Sequence, residues 1–278
     1  MLKFAQVLAR TGDDLVDFAP YVPVLDPEGR AVFQATRADG SSVICRDSSI
    51  ISAPSLPAAS HPVAGPRLGY FARAGTRNAL AIDGAIDDTG LDFGPAGPTI
   101  NARGDIAARA RDGSVEVIVL ATARGLEVVA RGGHYEGLAV VLDDGRVVFH
   151  ERGEGLRGVP WQREGMQRFF GANNHGQVAV ATQSGIWLDE VRLISRGFVS
   201  HRSAALDDLG HVVHASTAAG GKLGVYAGKE RLVGLGDALE GSTVTDLAFN
   251  QASLRPDGRL AVRVALADGR GLILGWRL

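Results

Sequence analysis

A short unit repeats along this chain, and it limits the possible folds more than any other feature. Each copy has a tight turn, typically Asn or Asp followed shortly by Gly, and then an apolar strand. Successive turns are 31 to 48 residues apart, which is the length of one small four-stranded sheet. The clearest copies occupy residues 25–33, 100–108, 142–149, 173–180, 206–213 and 254–262, and a degenerate copy without the acidic turn residue fits at 65–71.

The residue types of the unit explain its structure. Asn or Asp can cap the turn with its own side chain, and Gly adopts the positive φ that closes the turn. Strands such as 146–149 are apolar on both faces, as expected for a sheet packed between two others. The sequence therefore predicts an all-β fold, a seven-bladed β-propeller with six blades as the alternative, formed by residues 1–278 as a single domain.

The two ends of the chain complement each other. The last copy stops after Trp276-Arg277-Leu278 and has no outer strand like that of the preceding copy at 231–237. Residues 4–13 resemble that outer strand, although they lie at the other end of the chain. We therefore expect the N-terminal strand to pair with the C-terminal blade near 271–276, because this closure covers two open sheet edges at once.

The repeat resembles a known family. The unit is similar to the bacterial tandem repeat with the signature Asn-x-x-Gly-x-x-Ala-Phe, in which outer strands end in Gly-Asp, as at Gly12-Asp13 and Gly236-Asp237 here. Residues 255–262 are also similar to the Ser-Pro-Asp-Gly turn of TolB-type, WD40-like propellers. Most copies here carry Asp or Arg in place of the Asn. The resemblance implies a propeller and supplies no catalytic residues.

Charge and composition exclude several classes of function. Basic and acidic residues nearly balance at a net charge of −2, with no basic patch, so a nucleic acid is not an expected partner. No apolar run reaches the roughly 18 residues of a membrane helix. Residues 1–10 are too short and too polar for a signal-peptide core, which predicts a cytoplasmic protein, or a secreted one if a leader was removed.

The sequence predicts neither a cofactor nor a metal site. The single cysteine, Cys45, lies in an apolar run and is expected to be buried, which leaves no internal disulfide and no thiolate zinc site. The pairs Asp143-Asp144 and Asp207-Asp208 fall in the repeat's own turn, where we expect them to cap the turn rather than bind calcium.

Several polar residues occur within the apolar strands. His214 takes a position that is apolar in other copies, so we expect a buried, hydrogen-bonded histidine. A second set shares one position in equivalent strands, and we expect this polar column to lie at the blade ends near a rim. Its members are Gln34, Arg109, His150 and Arg263.

Candidate ligand-binding residues lie just before the predicted inner strands, which line the axis of a propeller. These entry loops gather aromatic, cationic and amide groups where different blades converge, a combination that suits a peptide or a polar small molecule. The candidates are His134, Tyr135, Glu136, Arg168, Phe169, His201, Arg202 and Asn250.

Three functions remain open from the sequence. The first is a non-catalytic binding or scaffold module that recognises a peptide or protein partner, with a small molecule as another ligand, at the channel mouth. The second is an enzyme, a lyase, cyclase or hydrolase, with His134 or His201 as acid or base, Glu136 as its partner and Arg168 or Arg202 stabilising negative charge. The third is a carbohydrate-binding or surface-associated propeller.

Overall fold

The computed structural model describes residues 5–56, 58–87, 89–160, 170–182, 184–194 and 197–278, except for the side chains of Val199, His201 and Arg202. Within these residues the chain forms seven antiparallel sheets in sequence order, and the only helix is a 3-10 turn at Gln251–Ser253. The predicted all-β, seven-bladed propeller is confirmed. No helix of the described residues is long and apolar enough to span a membrane.

The strands are numbered in chain order, and β1 (Gln6–Arg10) belongs to the last blade. Blade 1 contains β2 (Leu15–Asp17), β3 (Val24–Leu25), β4 (Ala31–Arg37), β5 (Ser42–Arg46) and β6 (Ser49–Ile50). Blade 2 contains β7 (Ser60–Ala64), β8 (Leu68–Ala74), β9 (Arg77–Ile82) and β10 (Ala85–Ile86). Blade 3 contains β11 (Asp92–Phe93), β12 (Thr99–Ile100), β13 (Ile106–Asp112), β14 (Val115–Thr122) and β15 (Gly125–Arg131).

The remaining blades follow the same pattern. Blade 4 contains β16 (Tyr135–Val141), β17 (Val147–Glu151) and β18 (Gly155–Arg157). Blade 5 contains β19 (Phe170–Ala172), β20 (Val178–Thr182), β21 (Gly185–Leu188) and β22 (Val191–Ile194). Blade 6 contains β23 (Phe198–Leu206), β24 (Val212–Ala218), β25 (Leu223–Ala227) and β26 (Glu230–Gly234). Blade 7 contains β27 (Ala238–Leu239), β28 (Ser242–Ala248), β29 (Arg259–Leu266) and β30 (Gly271–Arg277), with β1 outermost.

The ring closes as the sequence predicts. Strand β1 pairs antiparallel with β30, with Gln6 opposite Gly275 and Arg10 opposite Leu272. Leu8 packs over Gly275, where an added Cβ would lie 2.8 Å from a Leu8 methyl carbon. The N-terminal strand therefore covers the edge that the C-terminal blade would otherwise expose.

The repeated turn directly precedes one strand in each blade, and these strands are β4, β8, β13, β17, β20, β24 and β29. In blade 3, Gly104 has a φ of +84° and its N–H donates to the Asn101 carbonyl, while Asn101 Oδ1 accepts the N–H groups of Arg103 and Asp105. In blade 4, whose copy is one residue shorter when the leucines are aligned, the turn has the same length, because the Gly145 N–H donates to the Leu142 carbonyl. There Asp144 takes over the capping and accepts the Arg146 N–H.

Apolar side chains pack between neighbouring blades. One such cluster joins Phe33 and Cys45 of blade 1 to Ala261 and Ile273 of blade 7, across the point where the ring closes. Cys45 is a free, buried cysteine, and burial raises the pKa of its thiol to about 11. The core therefore runs around the ring as a series of contacts between sheets.

The polar residues within the apolar strands are mostly buried. His214 is buried, and its two ring nitrogens lie 2.7 Å from Ser216 Oγ and from the Gly228 carbonyl oxygen, which confirms the prediction. Gln34, His150 and Arg263 are also buried, and Arg109 is 12% exposed, while their expected location near a rim stays a prediction. Gln34, Arg109, His150 and Arg263 belong to β4, β13, β17 and β29, the strands that directly follow the repeated turn.

Candidate functional site

A cavity of about 300 Å³ lies on the propeller axis, and all seven blades contribute to its wall. Its mouth is formed by the repeated turns, and we call this side of the ring the turn face. The opposite side, where the chain enters the inner strands, is the entry face. The residues at the second position of the seven turns line the mouth, and they are Pro27, Pro66, Ala102, Asp143, Asn174, Asp208 and Pro256.

Hydrogen bonds between successive turns fix the mouth. The Ala102 N–H donates to Asp143 Oδ1 at 2.8 Å, and the Asp143 N–H donates to Asn174 Oδ1 at 2.7 Å. Asn174 in turn donates its N–H and its Nδ2 to the two carboxylate oxygens of Asp208, at 2.9 and 2.8 Å. The Asp208 N–H then donates to the Pro256 carbonyl at 3.1 Å. This rim chain of hydrogen bonds joins blades 3 to 7 and holds the opening in one shape.

The wall of the axial cavity is mainly apolar, with Val24, Val63, Ile100 and Val140 among its residues. Arg255 lies at the mouth with its side chain 21% exposed, and its Nη1 donates to the Leu25 carbonyl at 3.2 Å. Burial lowers the pKa of this guanidinium, opposed by Asp257, whose carboxylate is 3.8 Å from Nε. The cavity can thus receive an apolar group with polar ends near the rim.

Gln251, in the 3-10 turn of blade 7, bonds to the backbone of blades 5 and 6. Its Oε1 accepts the Leu206 N–H at 2.8 Å, and its Nε2 donates to the carbonyls of Leu206 and Ala172 at 3.0 and 3.4 Å. The side chain is buried and forms part of the cavity wall. One amide therefore ties the 3-10 turn to the inner strands of blades 5 and 6.

Three of the predicted site residues lie together, away from the axial cavity. His134, Tyr135 and Glu136 line an open cleft of about 610 Å³ with Arg109, Glu116, Gly137 and Arg152. These residues come from blades 3 and 4, so the cleft lies between two neighbouring blades. Glu136 accepts from Arg152 Nε at 3.0 Å and lies 3.4 Å from His150 Nδ1. Its carboxylate is thus paired with these two groups.

The other predicted residues have different positions. Asn250 is the N-cap of the 3-10 turn, where its side chain accepts the Ala252 N–H at 2.9 Å. The backbone of His201 and Arg202 belongs to β23, with His201 opposite Ser216, and their side chains lie outside the described part. Arg168 and Phe169 fall outside the described residues altogether.

His61 has an unusual environment that the sequence did not indicate. It adopts a φ of +48° in β7, and its ring lies between Tyr21 and Phe71, with centroids 4.1 and 5.4 Å away. Its Nδ1 is 3.1 Å from Ser60 Oγ. Burial lowers the pKa of His61 from 6.5 to about 4, so the folded protein holds the ring neutral at pH 7.

This depressed pKa should make stability depend on pH between about 6.5 and 4. In that range the unfolded chain binds a proton at His61 and the folded chain does not, so stability falls as the pH falls. Between pH 7 and 4.5 the wild type should lose about 2 kcal/mol through this group. Urea unfolding of His61→Asn, which tolerates the left-handed backbone, should lack this loss. Equal pH dependence in both proteins would contradict the assignment.

Within the described residues, no three His, Cys, Asp or Glu side chains cluster in a way that could hold a metal ion. Sequence reasoning also missed the rim chain, because Asp143 and Asp208 were expected only to cap their own turns. Their position in the repeat, directly after the capping position, is the signal that could have shown a second role. Asn174 occupies the same position in blade 5.

Comparison with known proteins supports the fold and gives no family. No protein-family model matches the chain, and no curated protein matches it in sequence. Prolyl oligopeptidase B from Galerina marginata in its apo form is similar, with a TM-score of 0.54 and 9% identity over 91% of this chain and 47% of that one. The same protein bound to a 35mer hydrolysis and macrocyclization substrate gives 0.52 and 11%, over 94% and 47%. The chain thus spans about half the length of that protein.

A third solved structure, BBS1N in complex with ARL6DN, has a TM-score of 0.46 and 12% identity and covers 97% of this chain and 96% of that chain. The likeness to prolyl oligopeptidase B, at these low identities, concerns the fold alone.

Proposed function

We propose that this propeller is a non-catalytic binding module that holds a segment of a peptide or protein partner in its axial cavity. The observation that supports it most directly is the cavity of about 300 Å³, to which all seven blades contribute and whose mouth is held by the rim chain. Because the mouth is already ordered, little conformational entropy is lost when a group is inserted, which favours binding.

The chemistry of the cavity suits a peptide. Its apolar wall accepts an apolar side chain of the peptide. At the mouth, Asp143, Asp208 and the Arg255 guanidinium can hydrogen-bond to polar groups of the same peptide. Both carboxylate oxygens of Asp208 already accept hydrogen bonds from Asn174, so Asp208 holds the shape of the mouth rather than acting as a catalytic group. The described residues bring no acid, base and nucleophile together here, which is why binding is preferred to catalysis.

Blocking the mouth tests this proposal. Ala102 is exposed at the mouth, and its N–H, which bonds Asp143, is kept in any variant other than proline. Linear peptides selected by phage display on the wild type should bind Ala102→Trp at least tenfold more weakly in calorimetric titration, a loss of about 1.4 kcal/mol. The control is Ala123→Trp, an exposed position in the outer turn between β14 and β15 of the same blade.

The control variant should bind like the wild type. Equal binding by Ala102→Trp, or failure to select any binding peptide, would contradict a peptide site in the cavity. Mass spectrometry of the bound peptides after incubation should find them intact, and cleaved or cyclised products would contradict a non-catalytic role.

A further inference from the structure

The interblade cleft between blades 3 and 4 holds an unusual set of charges. Its volume is about 610 Å³, and its lining includes two arginines and two glutamates, Arg109, Arg152, Glu116 and Glu136. Opposite charges in such numbers would normally pair and leave nothing to bind. The four side chains are not equally well paired, however. The least well paired of them indicates which kind of ligand the cleft can bind.

Both carboxylates of the cleft have close hydrogen-bond donors. Glu116 Oε2 accepts the backbone N–H of Tyr135 at 2.9 Å, which ties blade 3 to the first residue of β16. Glu136 Oε1 accepts from Arg152 Nε at 3.0 Å, and its Oε2 lies 3.4 Å from His150 Nδ1. The glutamates are thus used in holding the two blades and the Arg152 side chain in place.

Arg109 has much poorer partners. A guanidinium offers five N–H donors, yet within the described part of the chain Arg109 makes one hydrogen bond, a 3.3 Å contact from Nη1 to the Gly137 carbonyl. Among the described residues, the nearest carboxylate oxygen to Arg109 is Glu116 Oε2, which lies 3.8 Å from Nη2 and is too far for a hydrogen bond. The side chain is only 12% exposed, so water satisfies it poorly.

The electrostatic environment agrees with this geometry. Burial lowers the pKa of Arg109, opposed by Glu116 and Glu136, while Arg111 adds to the lowering. Removing a cation from water without a matched partner is unfavourable, and an anion placed against it would restore the lost interactions. Among the described residues, Arg109 thus has one long hydrogen bond and one ion pair at 3.8 Å, and most of its N–H donors have no close acceptor.

We propose that the cleft between blades 3 and 4 is a second binding site, which takes up a carboxylate group through the Arg109 guanidinium. A carboxylate matches the planar fork of arginine with two parallel hydrogen bonds. A phosphate dianion is disfavoured, because Glu116 and Glu136 line the same cleft and would repel its second charge. The carboxylate comes from a free small acid or from an acidic side chain of a polypeptide.

Arginine side-chain NMR on the protein of residues 1–278 tests this site. The probes are acetate, the peptide acetyl-Gly-Glu-Gly-amide and inorganic phosphate, each at constant ionic strength. The Nε–H signal of Arg109, identified by its loss in Arg109→Lys, should shift and saturate with acetate or with the peptide. Arg131 is the internal control, since it is exposed, lies on β15 of blade 3 and pairs with Asp112.

A matched variant series tests the role of the guanidinium. Arg109→Lys keeps the charge and loses the fork, so carboxylate affinity, followed at the Gly137 amide signal, should fall at least tenfold. Arg131→Lys should bind like the wild type. If Arg109→Lys does not fold, the Nε–H signal of Arg109 is assigned in the wild type by correlation with its backbone signals. The titration of that signal then tests the proposal by itself.

Each outcome bears on the site. Saturation by acetate supports a site for a free acid, and saturation by the peptide alone supports an acidic side chain. The proposal is overturned if neither saturates the Arg109 signal, if Arg131 responds in the same way, if phosphate binds as tightly as acetate, or if Arg109→Lys binds equally well. None of these outcomes depends on what occupies the axial cavity.

Discussion

Removal of residues 1–11 should lower the free energy of unfolding by about 4 kcal/mol, because it deletes β1 with its ladder to β30 and the side chains that pack beside it. Leu8 and Ala9 pack on the cluster that joins blades 7 and 1, and Val7 packs on the cluster that joins blades 6 and 7. Thr11 also exchanges hydrogen bonds with Gly271. Urea unfolding measures the loss.

The shortened chain should also self-associate, because β30 then presents an unpaired edge. A synthetic peptide of residues 4–13 added in trans should restore the elution volume of the wild type in size-exclusion chromatography. Arg10→Gln is the matched control, since it removes only the exposed ion pair with Glu240, and its urea midpoint should stay near that of the wild type. A wild-type midpoint for the shortened chain would mean that β1 does not hold the ring closed.

Gln251→Glu should destabilise the protein by about 3 kcal/mol at pH 7, because it places a carboxylate against carbonyl oxygens in a buried site. The wild-type Nε2 donates to the Leu206 and Ala172 carbonyls, and the introduced oxygen would face both. Burial and these carbonyls raise the pKa of the new carboxyl, so the penalty should grow as the pH rises above about 4.3. Urea unfolding at pH 4 and pH 7 measures both effects.

Two comparisons separate charge from lost hydrogen bonds. Gln251→Met removes the bonds without adding charge and should cost about 2 kcal/mol, independent of pH in the same range. Gln177→Glu is the control at a half-buried turn position, where the oxygen that accepts from Asn173 Nδ2 is retained, and it should change stability little. If Gln251→Glu were as stable as the wild type at pH 7, the amide would not be bridging the blades.

Local signals in the sequence predicted the blades well. The turn at 101–104 is closed by contacts between residues two to four positions apart, so Asn101 and Gly104 are sufficient to indicate it. The closing strand was equally visible, because residues 4–13 carry the pattern of the outer strand at 231–237. His214 was predictable as a buried histidine, since its position is apolar in the other copies.

The fold is confirmed, whereas the ligand-binding residues named from the sequence stay a prediction. Sequence reasoning placed all the ligand-binding residues at the entry face, whereas the axial cavity has its mouth at the turn face. His134, Tyr135 and Glu136 do lie together, but in the cleft between two blades. Arg109, expected near a rim, is the under-bonded group of that cleft.

The sequence by itself determined the repeated turn and the alternation of short strands, because each depends on residue types close together in the chain. It also determined the pairing of the two chain ends, because the last blade lacks an outer strand that the N-terminal segment can supply. Only the tertiary structure decided which turn residues meet around the axis and which charges are left without close partners. Asp143 and Asn174 are 31 positions apart and Gln251 reaches Ala172 across 79, so these contacts depend on how tightly seven sheets pack into a ring. No local pattern of side chains encodes that distance.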